Sequence, residues 1–157
     1  MDITRKIRER GNKMKKLTVR GISTHEESKG EWKRGYLIED EGVSYIINGV
    51  VEANDEYITI GAWCSVDPET LGLSTGLLDE NEVEIFEGDI LKGENGNLAI
   101  YRHPTLGFYI IDSSNTECFF ADGVDVGVKE FNENLKYISK GLEVIGNIYE
   151  NPELLEE

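Results

Sequence analysis

The sequence predicts a mainly β protein, built from short antiparallel strands with few short helices. Two observations predict it. Apolar and polar residues alternate with a period of two in runs such as Leu17–Ile22 and Glu143–Tyr149, as half-buried strands require. Clusters of Gly, Asn, Asp and Pro separate such runs, whereas one stretch alone (Val128, Phe131, Leu135, Ile138) carries clear helical spacing.

The elements follow in order. Leu17–Ile22 is a strand, and Tyr36–Ile38 with Val43–Ile47 brackets Glu39 to Gly42 in a hairpin pattern. Asn48-Gly49 suits a further tight turn. Tyr57–Ala62 is the next strand, rich in β-branched and aromatic residues. Asp67-Pro68-Glu69-Thr70 has the chemistry of a helical turn: Asp caps orphan N–H groups, Pro suits the first position, and Glu favours the positive dipole end. Asp79–Glu82 is a polar turn. Strands resume at Glu84–Phe86 and Asp89–Leu91 across Glu87-Gly88, then at Leu98–Arg102 and Phe108–Ile111. The Val128–Ile138 face predicts a helix stopped at Gly141. Glu143–Tyr149 closes the chain as a strand, and Asn151-Pro152-Glu153 repeats the cap–Pro–Glu pattern. Such elements assemble as compact sheets or a small barrel.

The 157 residues suffice for their own core. The net charge of −15 is unevenly spread. Residues 1–35 hold eleven basic and five acidic side chains, net +6, and residues 36–157 hold five and twenty-six, net −21. An acidic body of that kind argues against binding nucleic acid or an anionic membrane. Apolar runs are too short to span a bilayer, and no signal peptide is apparent, which points to a soluble, cytoplasmic protein. Met14-Lys15-Lys16-Leu17 reads as a bacterial start directly before a strand, and Glu9-Arg10-Gly11 is encodable by a purine-rich stretch. Initiation at Met14 is therefore expected, and the intact mass of the native protein tests it.

The search for chemistry is mostly negative. Cys64 and Cys118 form no disulfide framework and read as small buried side chains. His25 precedes Glu26-Glu27 in a loop and His103 sits at a turn, neither in a metal-binding spacing. Glu80, Glu82 and Glu84 would share one face of an extended segment, as a solvated edge. Gly93-Glu94-Asn95-Gly96 lacks a phosphate-loop lysine. The aromatic residues are read mostly as core, since the acidic body has too few cations for a nucleic-acid groove. No catalytic residue, cofactor site or metal site is expected.

Three motifs carry a resemblance. They are Gly30-Glu31-Trp32 with Gly35-Tyr36-Leu37; Val66-Asp67-Pro68-Glu69-Thr70-Leu71-Gly72, leading through Thr75-Gly76-Leu77 and Asp79 to Glu84-Ile85-Phe86-Glu87-Gly88-Asp89-Ile90-Leu91; and Glu143-Val144-Ile145-Gly146-Asn147-Ile148-Tyr149-Glu150-Asn151-Pro152-Glu153-Leu154. In this order they resemble the YopX family of phage and prophage proteins, over about Leu17 to Leu155. Ser74 stands where an aromatic is common, and Glu82 where a turn glycine is usual, which suggests a different local turn. The resemblance implies an SH3-like small barrel in the C-terminal part and transfers no activity.

The expected organisation is a flexible basic leader (1–16), an N-terminal β subdomain (17–63), a connecting segment with a helical turn (64–87) and the C-terminal barrel (88–157). Gly76, Gly88 and Gly146 are expected at sharp turns or close approaches, with Asp67 and Asn151 as caps. The surface case for function is strongest at Trp32, Trp63, Asp79 and Arg102. The expected role is a non-enzymatic accessory protein that binds a protein partner, whether another protein or itself as a homo-oligomer. The alternatives are an acidic nucleic-acid mimic that sequesters a basic host protein, and nucleic-acid binding through the basic N-terminal segment.

Overall fold

Strand alternation organises the molecule into two antiparallel sheets. A computed structural model describes residues 17–93, 96–105, 107–112, 117–119 and 141–156. The expected Val128–Ile138 helix and the basic leader lie outside these residues. The first sheet contains β1 (Val19–Ile22), β2 (Trp32–Asp40), β3 (Val43–Ala53), β4 (Ile58–Val66), β5 (Gly72–Leu78) and β6 (Glu84–Phe86), in the order β4-β3-β2-β1-β5-β6. The second contains β7 (Asp89–Gly93), β8 (Gly96–His103), β9 (Gly107–Asp112), β10 (Glu117–Phe119) and β11 (Glu143–Asn147), in the order β10-β9-β8-β7-β11. The protein is mainly β, as the alternation predicts. Its described helical content is three short 3₁₀ turns at Glu26–Ser28, Pro68–Thr70 and Pro152–Leu155. No helix among the described residues is long and apolar enough to cross a membrane.

Local chemistry explains the connections. Glu41 and Gly42 both have positive φ, 47° and 82°, between the paired Asp40 and Val43. A two-residue hairpin loop needs that geometry to match the right-handed twist of its strands. Asn48-Gly49 is not a turn. It lies inside β3, where the register with β4 shifts between Ile47 and Gly49, so the strand bulges and continues to Ala53. The reversal comes instead at Asn54, whose Oδ1 accepts from the N–H groups of Glu56 and Tyr57. Asp67 caps the Pro68–Thr70 turn by accepting from the Glu69 N–H at 3.0 Å. Asn151 makes no such cap. Its Oδ1 turns back to accept from the Asn147 N–H at 3.3 Å, into space that a Cβ on Gly146 would occupy.

Residues 64–87 do more than connect. They finish β4, form the Asp67-capped turn and supply β5 and β6 to the first sheet. Val19, Ile46 and Val66 form one core cluster, with Leu71 and Leu73 against it. Ile85, Leu91 and Ile100 form another, flanked by Leu77, Phe108, Ile110 and Val144. Ile85 is hydrogen-bonded within the first sheet yet packs into the core of the second, so β6 couples the two. Gly88 follows at φ 86°, donating to Ile100 O at 2.8 Å and accepting from the Ile148 N–H at 2.9 Å. A side chain there would meet the Tyr149 ring at 3.1 Å.

The acidic run does not form an extended solvated edge. Asp79–Glu82 folds as a turn, and Glu84 on β6 accepts from Ser74 Oγ at 2.5 Å and pairs with Arg34. Glu82 takes φ 64°, the left-handed conformation that glycine favours. The glycine-type turn is therefore kept with a glutamate in it.

Candidate functional site

The face of the first sheet opposite its core divides into a closed part and an open part. Strand pairing places Arg20 opposite Arg34 and Ile22 opposite Trp32. It also places Tyr36 opposite Ile47, Ile47 opposite Trp63, and Ile38 opposite Tyr45. Directly opposed residues share a face, as do residues two apart on one strand. Arg20, Trp32, Arg34, Tyr36, Ile38, Tyr45, Ile47 and Trp63 therefore lie on one face.

The closed part is a clasp onto the second sheet. Arg20 Nη2 meets Asp89 Oδ1 at 2.5 Å, and the Asp89 side chain is 1% exposed. The Arg20 guanidinium lies 4.7 Å from the Trp32 ring centre and 5.1 Å from that of Phe86. Trp32 donates its indole N–H to Glu150 Oε2 at 2.9 Å, and its ring centre is 5.9 Å from that of Tyr149. Burial pushes the Asp89 carboxyl above its ordinary pKa despite the attraction of Arg20 and the bond from the Phe86 N–H. The Trp32 and Asn147 hydrogen bonds hold Glu150 below its own. Burial, then the nearby Glu87 charge, raises Tyr149. Trp32 and Asn147 donate to Glu150 and Arg20 pairs with Asp89, so these contacts join the two sheets. Arg20 Nε and Asp89 Oδ1 are nevertheless buried without a hydrogen-bond partner among the described residues.

The open part is apolar. Ile38, Asp40, Tyr45, Ile47, Ile60 and Trp63 line a concavity of ≈ 300 Å³. Tyr45 and Trp63 meet edge to face, with ring centres 5.6 Å apart. Trp63 is 60% exposed, and Tyr36 and Ile38 are also exposed. Beyond them the β3–β4 hairpin carries Val51 at 73% and Ile58 at 65% exposure. Contiguous apolar exposure of this kind marks a contact surface.

The four residues singled out from sequence occupy different settings. Trp63 stands on the open face. Trp32 is half-buried in the clasp. Arg102, partly exposed, lies 3.7 Å from Glu87, whose carbonyl accepts from Arg20. Asp79 is buried, and its carboxylate accepts from the N–H groups of Asn81, Val83 and Val144 at 2.8, 2.8 and 3.0 Å. Burial raises its pKa, but these three bonds outweigh that effect and leave it below the ordinary value. Cys64 is buried, with its Sγ 3.0 Å from Ser23 Oγ. His25 shares a polar groove with Cys64, and its Nδ1 accepts from the Glu27 N–H. The Cys118 side chain lies outside the described residues. Among the described residues, no three His, Cys, Asp or Glu side chains are grouped to hold a metal ion.

Tyr36, Ile38, Tyr45 and Ile60 were not singled out by sequence. A signal existed: in Tyr36-Leu37-Ile38 both alternation phases are apolar, so a strand with only one covered face must leave some of them open. The Arg20–Asp89 pair had no local signal at all.

The family model described as YopX protein matches residues 6–156. The chain belongs to the YopX family. The crystal structure of protein EF1440 from Enterococcus faecalis is similar to this YopX-family chain, with 28% identity and a TM-score of 0.53. The similarity covers 89% of this chain and 98% of that one. No curated protein matches. In this YopX-family chain, Ser74 is buried and used for polar contact: its Oγ donates to Glu84 and accepts from the Gly76 N–H.

Proposed function

We propose that this YopX-family chain is a non-enzymatic protein-interaction module of phages or prophages, acting in the bacterial cytoplasm through the open face of β2, β3 and β4. The observation that carries the reading is the apolar concavity bounded by Trp63, Tyr45, Ile38 and Ile60, exposed on a sheet whose opposite face already supplies a core. Burying such side chains against a partner contributes about 25 cal/mol per Å² of apolar surface. The second sheet supports the reading of an SH3-like unit, because β7 to β10 run as a meander and β11 returns to pair with β7. The clasp makes that unit a scaffold for the first sheet.

The test is affinity capture from phage-infected host cells with the wild-type chain, a Trp63→Ala, Ile38→Ser double variant, and an Arg102→Ala control. The reading expects discrete partners retained by the wild type and the control and lost from the double variant, with all three folded by circular dichroism. Identical capture by the wild type and the double variant would sink it.

A further inference from the structure

Resting on that reading, we propose that the outer edge of β4 takes up an extended cationic segment of a partner protein as an added antiparallel strand. β4 is the last strand of the first sheet. Among the described residues, its far edge is met at one end by Ser23 and Thr24, through the Ser23–Val66 bridge and the Thr24 N–H to Ser65 O bond of 3.0 Å. Ile58 to Cys64 is left as about 23 Å of strand edge, at about 3.3 Å per residue. Folded proteins usually blunt such an edge with charge or proline, yet Ile58–Val66 contains neither. An edge free of charge and proline remains, on either side of the bulge at Gly61, a template for strand addition. Main-chain bonds then give affinity and side-chain pockets give specificity.

Charge identifies the occupant. From Tyr36 to Leu91 the chain has fourteen acidic residues and no Lys or Arg. Glu52, Asp55 and Glu56 stand at one end of β4, by the β3–β4 turn, and Glu39, Asp40 and Glu41 at the other, by the β2–β3 turn. Side chains of an added strand alternate between faces. On one face they meet the apolar concavity of Ile38, Tyr45, Ile60 and Trp63. On the other they meet the groove of ≈ 440 Å³ that includes Glu27 and Glu31, with Lys33 already paired to Glu31 at 2.7 Å. Apolar residues at alternate positions, with Lys or Arg between and flanking them, complement both faces. A second copy is the poorer occupant. Antiparallel β4–β4 pairing would set Asp55 and Glu56 of one copy beside Glu39–Glu41 of the other, and opposed like charges destabilise a sheet contact.

The experiment pans the full chain against a random twelve-residue peptide library displayed on yeast, then titrates synthetic versions of the enriched peptides by amide NMR. Enriched peptides are expected to be net positive with apolar residues at every second position, to shift the amides of Ile58–Cys64, and to bind more weakly as salt rises. N-methylation of alternate peptide nitrogens, or Ile60→Lys in the protein, should each weaken binding about tenfold or more. Acidic or helix-spaced peptides that tolerate N-methylation would overturn strand addition. If their binding still depends on Trp63, the interaction reading survives that failure; if no peptide binds through Trp63, both fail. Concentration-dependent dimers that protect the same β4 amides would overturn the cationic partner in favour of a second copy.

Discussion

Arg20 on β1 holds Asp89 on β7 at 2.5 Å, and this one ion pair bridges the two sheets where almost no water reaches. Arg20 also lies against Trp32 and Phe86, so charge and packing act through the same guanidinium. Replacing it leaves the Asp89 carboxylate buried without its counter-charge. Arg20→Ala is expected to lower stability by about 3–5 kcal/mol, measured by urea denaturation. The loss should be smaller when Arg20→Ala is introduced into an Asp89→Asn background, because the orphaned charge is then absent. Arg20→Lys should recover only part of it, since an ammonium lacks the planar stacking surface.

Glu150 ties the same clasp to pH. Its carboxyl is depressed by the Trp32 and Asn147 hydrogen bonds, so its contribution is complete above the ordinary glutamate range, about 4.3. That contribution is lost as pH falls through the depressed folded value. The Trp32 indole N–H resonance is expected to titrate only in that acidic window, and the exposed Trp63 indole to stay indifferent. Glu150→Gln should abolish the Trp32 titration. Asp89 has the opposite sign. Its raised pKa makes the folded state hold the proton more tightly, so its contribution is full below the ordinary aspartate value and declines as pH rises through the raised one.

Asp79 is a turn residue whose carboxylate gathers three backbone donors from two parts of the chain. Asp79→Ala leaves those donors without their acceptor and is expected to cost about 2–4 kcal/mol, seen as a lowered denaturation midpoint. Because its pKa is depressed, this support is present above about 3.9 and disappears as pH falls through the folded value. Asp79→Asn should therefore flatten the acid limb of a stability–pH curve.

Glu82 sits at φ 64° without a glycine's freedom. A side chain in the left-handed region costs about 1–2 kcal/mol, while glycine adds about 0.5–1 kcal/mol of unfolded-state entropy. Glu82→Gly should then raise stability by about 0.5–1 kcal/mol, checked by thermal unfolding. The same substitution at Glu80, elsewhere in that turn, should give no such gain.

Legibility from sequence tracked how local each cause is. The Asp67-Pro68-Glu69 turn was readable because cap, ring and dipole act within four residues. Strand runs were readable because alternation is a local consequence of burying one face. Asn48-Gly49 misled for the same reason: the dipeptide favours a turn, but pairing with β4 along both sides of it holds the chain extended as a bulge. Asn151 before Pro152 fits the pattern of a cap, whereas its side chain is drawn back to Asn147. Tyr36 reads as core from its residue type but is exposed, because residue type reports a preference for burial and not which face receives cover. The clasp was invisible, since nothing near Arg20 in the chain announces Asp89.

β11 and the residues flanking it reach the Asp79 turn, the junction glycine Gly88 and the clasp. Val144 donates to Asp79, Leu142 O accepts from the Glu80 N–H, Ile148 donates to Gly88, and Glu150 accepts from Trp32. Residues 142–150 therefore add a second set of links to a junction that the Arg20–Asp89 pair and Ile85 already join. A product that stops short of them would carry Asp79, Gly88 and Trp32 with those partners missing. One short segment thereby ties the two sheets together, so damage to it would be felt in both.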